Sequence, residues 1–258
     1  RFGNRWIDET RTRNIPIPIG QTPVSAAAFE PATNRLTSVL HHPPGTQQRV
    51  SGYDMFYDVQ YRQVEARTSG GATAATYDYD GEGRRVRKVT GGVETVYVYD
   101  AFGQLAQAYG GPAGSPGRSY LFADHLGSTR MMTDGSGVVR GWWDYLPYGE
   151  EIAGDRGNRA AVAGFAYGGE EPSMMFTGQV RDRLTDGSPS GLDFFEARYF
   201  SSAQGRFTSP DPMRAKKEWL ADPQRWNKYA YVRNNPLRYV DPNGEDLVVY
   251  YFYGQDLT

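Results

Sequence analysis

Apolar and polar residues alternate in short runs along this chain, and the runs stop at glycines. Arg85-Val86-Arg87-Lys88-Val89-Thr90, then Gly91-Gly92, then Val93-Glu94-Thr95-Val96-Tyr97-Val98-Tyr99 read as strand, two-residue turn and strand. Period-two alternation turns one strand face to a core, and Gly-Gly supplies the positive φ angles of a tight hairpin. The block Tyr77-Asp78-Tyr79-Asp80-Gly81-Glu82-Gly83-Arg84 recurs 20 residues later as Tyr97-Val98-Tyr99-Asp100-Ala101-Phe102-Gly103-Gln104. In each copy the aspartate, Asp80 or Asp100, is placed to accept a backbone amide two residues on, and Gly83 or Gly103 takes the left-handed turn position. Each unit is one hairpin that cannot bury its own face, so stability must come from stacking on neighbours.

Weaker copies follow at Tyr120-Leu121-Phe122-Ala123-Asp124-His125-Leu126-Gly127 and around Trp143-Asp144 to Gly149. Phe2-Gly3-Asn4-Arg5 reads as the tail of another unit, and Tyr53 to Gln63 has the aromatics and the aspartate without the glycine. Residues 16–31, 110–117 and 153–169 read as loops. The last third differs in grain. Asp211-Pro212 precedes the one predicted helix, Met213 to Ala221, and Asp222-Pro223 is expected to stop it. Strands are expected at Asn227–Tyr231, Leu237–Val240 and Val248–Tyr253, with a turn at Asp241-Pro242-Asn243-Gly244.

Composition narrows the choice of chemistry. With 31 Gly and 16 Pro the chain is interrupted too often for long helices, and 19 Tyr, 12 Phe and 5 Trp favour strands over disorder. The net charge of −2 lacks the basic footprint of a nucleic-acid binder. No apolar run is long enough for a membrane span, and no signal peptide is recognisable. Cysteine is absent and His41, His42 and His125 are the only histidines, so neither a thiolate nucleophile nor a metal site is expected, and no cofactor. The carboxylate pairs Glu150-Glu151 and Glu170-Glu171 read as solvated loop, His125 as a turn residue, and Arg181-Asp182 as a structural ion pair. Only 39% of residues are hydrophobic, which suits a sheet with two fairly polar faces.

The Tyr-x-Tyr-Asp-x-x-Gly units resemble the YD repeats of the Rhs family. Asp124-His125-Leu126-Gly127-Ser128-Thr129-Arg130, Gly191-Leu192-Asp193-Phe194-Phe195-Glu196-Ala197-Arg198-Tyr199-Phe200, Gly205-Arg206-Phe207-Thr208-Ser209-Pro210-Asp211-Pro212 and Asn227-Lys228-Tyr229-Ala230-Tyr231 are similar, in this order, to the family's repeat-associated core domain. The resemblance runs over roughly residues 77–247. It implies an all-β fold of stacked hairpins, a sheet spiralling into a hollow shell with a water-filled lumen, with an inward-turning core domain and one short helix. It divides the chain into a repeat shell (1–118), a core domain (119–247) and the start of a variable C-terminal region (248–258). A chain this short cannot close a large cage, so it reads as part of a longer protein. The implied partners are its own C-terminal toxin-like payload and a secretion or delivery complex, and the implied location is secreted or cell-surface. The rival reading is a surface YD-repeat adhesin whose aromatics bind glycans, with no enzymatic activity.

The resemblance also implies chemistry. In related shells the core domain cuts its own chain as a single-turnover aspartyl protease, and the matching residues here are Asp211, Asp241 and Arg198, with the cut between Leu247 and Val248. Two neighbouring carboxylates share a proton, so one acts as acid while the other activates water, and Arg198 either holds one carboxylate charged or steers the scissile carbonyl. Read without the family, Asp211 is a helix cap, Asp241 the first residue of a turn, and Arg198 a surface strand residue. Two positions depart from the self-cleaving pattern: Arg214 stands where a glycine is usual, and Glu245-Asp246 separate the second Asp-Pro-x-Gly from Leu247.

Overall fold

The computed structural model describes residues 3–8, 22–103, 105–110, 119–152, 172–184, 191–213, 222–245 and 248–249. Seven antiparallel strands form a meander in chain order: β1 (Arg49–Val50), β2 (Tyr53–Tyr57), β3 (Gln63–Arg67), β4 (Thr73–Tyr79), β5 (Arg85–Thr90), β6 (Val93–Tyr99) and β7 (Leu105–Gly110). A three-stranded sheet follows, from β8 (Ser119–Ala123), β9 (Thr129–Asp134) and β10 (Val139–Trp142). Then come a four-stranded sheet of β11 (Val180–Asp182), β12 (Leu192–Phe195), β13 (Arg198–Ser201) and β14 (Arg206–Phe207), and the short pair β15 (Tyr239–Val240) and β16 (Val248–Val249). Helical segments among the described residues are 3-10 turns of three or four residues. The fold is all-β and antiparallel.

The repeat is a turn with a side-chain ladder. Asp80 Oδ1 accepts the amides of Glu82 and Arg84, and Asp100 Oδ1 accepts that of Phe102, while Gly83 and Gly103 have φ of +88° and +79°. Arg84 Nε bonds Asp80 at 2.8 Å and its guanidinium lies over Tyr99 of the next unit, whose hydroxyl donates to the carbonyl of Arg85. One unit earlier the pattern is the same: Arg62 pairs with Asp58 and covers Tyr79, whose hydroxyl donates to the carbonyl of Gln63. The segment from Tyr53 to Gln63 is therefore a full repeat, with Tyr61 at φ +61° in the glycine position. A left-handed conformation costs a residue with a Cβ roughly 1–2 kcal/mol. Tyr61→Gly is expected to raise unfolding stability by about 0.5–1 kcal/mol, and Gly103→Val to lower it by about 1 kcal/mol or more. Denaturant titration reads both, and an unchanged Gly103→Val protein would contradict the turn assignment.

One face of the meander is not polar. Val50, Tyr53, Met55, Ala66, Ala74, Ala75 and Tyr77 pack against Leu192, Phe194 and Tyr199 of β12 and β13. Behind that sheet a second, aromatic core joins Phe176, Phe195, Phe200, Phe207 and Tyr231, with ring centroids 4.9–5.9 Å apart in tilted and edge-on pairs. The low apolar content has another source than two wet faces: the interior carries charge. Arg85, Arg181, Asp182, Asp193 and Arg198 are all buried.

Three sequence expectations change here. Arg181 and Asp182 do not pair with each other, because neighbours on a strand face opposite ways. Arg181 bonds Asp193 and Glu151, and Asp182 bonds Arg85 and Lys88. Glu150 and Glu151 are not solvated: Glu150 pairs with Arg5 at 2.6 Å and Glu151 with Arg181 and Arg183. Asn227–Tyr231 forms turns with one bridge from Ala230 to Arg206 rather than a strand, since the Asn227 carbonyl accepts the Ala230 amide and its side chain accepts that of Tyr229. Asp222-Pro223 starts a 3-10 turn, with Asp222 accepting the amide of Gln224. Of the expected helix, Met213 is described as a bend and Arg214 to Ala221 lie outside the described residues, as do most of the three expected loops.

Candidate active site

Arg198 opens β13 on the far side of a turn in which Glu196 has φ +52°. Its guanidinium lies 3.6 Å from the centre of the Phe207 ring, and the residue is only 4% exposed. Every part of the guanidinium has a task. Nε donates to the carbonyl of Gly244, Nη1 to that of Lys228 at 3.2 Å, and Nη2 faces Asp241 Oδ2 at 3.4 Å and Asp211 Oδ2 at 3.8 Å. One nitrogen thus stands against both carboxylates, so their oxygens can be no farther apart than those two distances together. Burial lowers the affinity of Arg198 for its proton, and Asp211, Asp241 and Glu245 oppose that effect. Guanidinium remains charged under such pressure.

Each carboxylate is held by its own turn. In Asp241-Pro242-Asn243-Gly244, Asp241 Oδ1 accepts the amide of Gly244 at 2.7 Å. Gly244 has φ +80°, and a Cβ there would stand 2.4 Å from the carbonyl oxygen of Phe195. The turn is fixed to the β12–β13 hairpin, the Asn243 carbonyl accepting from Ala197 and the Pro242 carbonyl from the Gln179 side chain. Asp211 Oδ1 accepts the amide of Met213, and the Asp211 amide donates to the carbonyl of Lys228. Lys228 Nζ closes this loop by donating to the carbonyls of Met213 at 2.8 Å and Asp211 at 3.4 Å.

Arg198 is therefore not a surface residue, and Asp241 is more than a turn former, being 5% exposed. Asp211 does cap a backbone amide, but its second oxygen faces Arg198. Lys228 and Gly244 lay inside recognised motifs without an assigned role; a motif spelled in the sequence does not say which neighbour closes it. Leu247 lies outside the described residues. Val248 begins β16, and it pairs with Val240, the residue before Asp241. Gly83, Gly103, Asp80 and Asp100 sit in the repeat turns described above, on the meander.

No protein-family model matches the sequence. Among curated proteins it is 36% identical over 125 residues to "Salivary gland surface protein 1" of Aedes aegypti, covering 48% of this chain and 3% of that protein. It is 28% identical over 179 residues to "tRNA3(Ser)-specific nuclease WapA" of Bacillus spizizenii, covering 66% and 7%. It is 30% identical over 117 residues to "Toxin subunit YenC2" of Yersinia entomophaga, covering 45% and 10%. Among solved structures, the complex described as TcdB2-TccC3-Cdc42 shares the fold over 80% of this chain and 11% of its own, with a TM-score of 0.55 at 20% identity. The chain thus spans about a tenth or less of the length of these relatives. Sequence relatives and fold thus make these residues similar to Rhs/YD-repeat proteins and toxin subunits, and the all-β fold is shared with the solved toxin complex.

Proposed function

We propose that this chain is the last repeats and core domain of a bacterial shell that encloses or presents a C-terminal payload, and that it frees the payload by cutting its own backbone after Leu247. On this reading residues 1–118 belong to the shell wall, 119–247 to the plug, and the payload starts at Val248. The observation that carries it is Arg198 buried against both Asp211 and Asp241, with the strand that starts at Val248 paired beside Asp241.

The two carboxylates are not equivalent. Asp241 has the nearer contact to Arg198 and accepts the Gly244 amide, so it is assigned the role of the base that takes a proton from water. Asp211 is less buried and farther from Arg198, and it gives its proton to the carbonyl oxygen of Leu247 as the water oxygen bonds to the carbonyl carbon. The C–N bond then breaks as Asp241 passes the proton it took from water to the leaving nitrogen, the new amino terminus of Val248, and Asp211 takes a proton back from a hydroxyl of the collapsing diol. Because the substrate is tethered and one turnover suffices, positioning supplies much of the rate. A delivery complex and a secreted location follow from the same reading, by likeness to the toxin subunits.

The test is intact mass spectrometry of a protein that continues well beyond Thr258. Two fragments meeting at Leu247-Val248 in the wild type, and one chain in Asp211→Asn and in Asp241→Asn, are the expected result. A wild type uncut at both pH 5 and pH 7 would mark Arg214 and the Glu245-Asp246 insertion as signs of a lost activity. It would favour the non-enzymatic reading, a repeat module displayed at a surface, which the likeness to a protein named for the salivary gland surface supports.

A further inference from the structure

Away from the carboxylates, residues 3–5 meet the turn before β14 around a small cavity lined by Gly3, Asn4, Arg5, Gln204, Arg206 and Asn227, among others. It leaves about 10 Å³ for the centre of a water-sized particle, room for one. Arg206 is 4% exposed, and one of its nitrogens, Nη2, donates to the carbonyl of Asn34 at 2.7 Å. Its Nε and Nη1 are buried with no partner. Arg5 Nη1 is also buried without a partner, and it presses on Gly205, where a Cβ would stand 2.3 Å away.

The charges around this cavity do not cancel. Arg5 is matched by Glu150, which takes its Nη2 at 2.6 Å; the other oxygen of Glu150 is buried and unpaired, but Glu150 does not line the cavity. Arg206 meets the rings of Phe29 and Tyr229 and pairs with no carboxylate among the described residues. The side-chain amides in the lining already have partners: Asn227 donates to Asn4, Asn4 to Asn34, Asn234 to Gln224, and Gln204 exchanges bonds with Gln47. What remains free is three guanidinium nitrogens and one positive charge. The surroundings agree, since burial and then Arg35 and Arg206 push the pKa of His41 down to about 4 and keep that ring neutral. A water would satisfy hydrogen bonds but leave the charge, and burying an unmatched charge is the costlier fault.

We propose that this cavity binds one monovalent anion of halide size between Arg5 and Arg206, pinning the segment of residues 3–5 to β14. Sulfate and phosphate are too large for it. Two measurements on the whole chain test this. In thermal unfolding at constant ionic strength, chloride or bromide in place of gluconate should raise the midpoint, by roughly 5–10 °C at a hundredfold excess over the dissociation constant. Sulfate should give no such gain, and Arg206→Met should abolish the halide dependence. In crystals grown with bromide, an anomalous peak should lie within hydrogen-bond distance of Arg5 Nη1 and Arg206. Equal midpoints in halide and gluconate, a water without anomalous signal, or a bromide peak with no effect in solution would each overturn the proposal. The crystal and the wild-type salt series decide the matter even if Arg206→Met does not fold.

Discussion

Asp182→Ala should destabilise the protein by about 3–5 kcal/mol, the cost of breaking a buried ion pair from one side. Asp182 lies on β11 and is 2% exposed; its two oxygens take Arg85 from β5 and Lys88 Nζ at 2.9 Å. Arg85 is fully buried, with the Phe194 ring 4.1 Å away and the hydroxyls of Tyr199 and Tyr97 at 3.1 and 3.3 Å. Lys88, at the rim, can turn to water when the carboxylate is lost. Arg85 cannot. Burial alone would push the Asp182 pKa up, but Arg85 and Lys88 outweigh it and hold the carboxyl below its ordinary value. The pair's stabilisation is therefore complete above the usual carboxylate range and fades as pH falls through the lowered folded value. Urea unfolding at neutral pH and on acidification reads both effects. A loss under 1 kcal/mol, or a variant with the wild-type acid dependence, would mean that the two sheets are held by their apolar contacts alone.

That contact also marks where the sequence stops being readable. The hairpins were legible because they are local: Asp80, Gly83 and the Gly91-Gly92 turn act within a few residues, and alternation sets the face. The glycine rule hid one repeat, since Tyr61 accepts a conformation usually left to glycine and the Asp58–Arg62 pair still closes the turn. Contacts between distant segments leave no such period. Nothing local tells Arg85 that its partner is Asp182 rather than a residue one turn away, or that Arg181 and Asp182 serve different layers. The candidate site falls between these cases. Motif order nominated Asp211, Asp241 and Arg198 separately, and only the fold brings the two turns onto one guanidinium with Lys228 as the clasp.

Arg198→Lys should abolish self-cleavage while leaving the charge in place, on the proposed reading of the site. A guanidinium meets Gly244, Lys228 and both carboxylates because its donors point in fixed, separate directions. An ammonium on a straight stem can serve one or two of these acceptors and not all four groups. The Asp241 turn then loses its tie to β13, and the carbonyls of Gly244 and Lys228 lose a charged donor, worth about 1.5–3 kcal/mol per bond. With both bonds lost stability should fall by roughly 3–6 kcal/mol, and by half that if the ammonium keeps one, in a fold that still assembles because Phe195, Phe207 and Tyr231 remain packed. A displacement of about 1 Å between the carboxylates and the bond they attack costs on the order of a hundredfold in rate. In a chain extended beyond Thr258, the wild type should be found cut and Arg198→Lys intact, with circular dichroism and a cooperative melt showing the variant folded. If Arg198→Lys is cut as fast as the wild type, the positive charge alone suffices and the guanidinium's separate contacts are structural. If a folded Gln179→Ala variant, which loses only the bond to the Pro242 carbonyl, is also uncut, the requirement extends from Arg198 to the whole turn that carries Asp241.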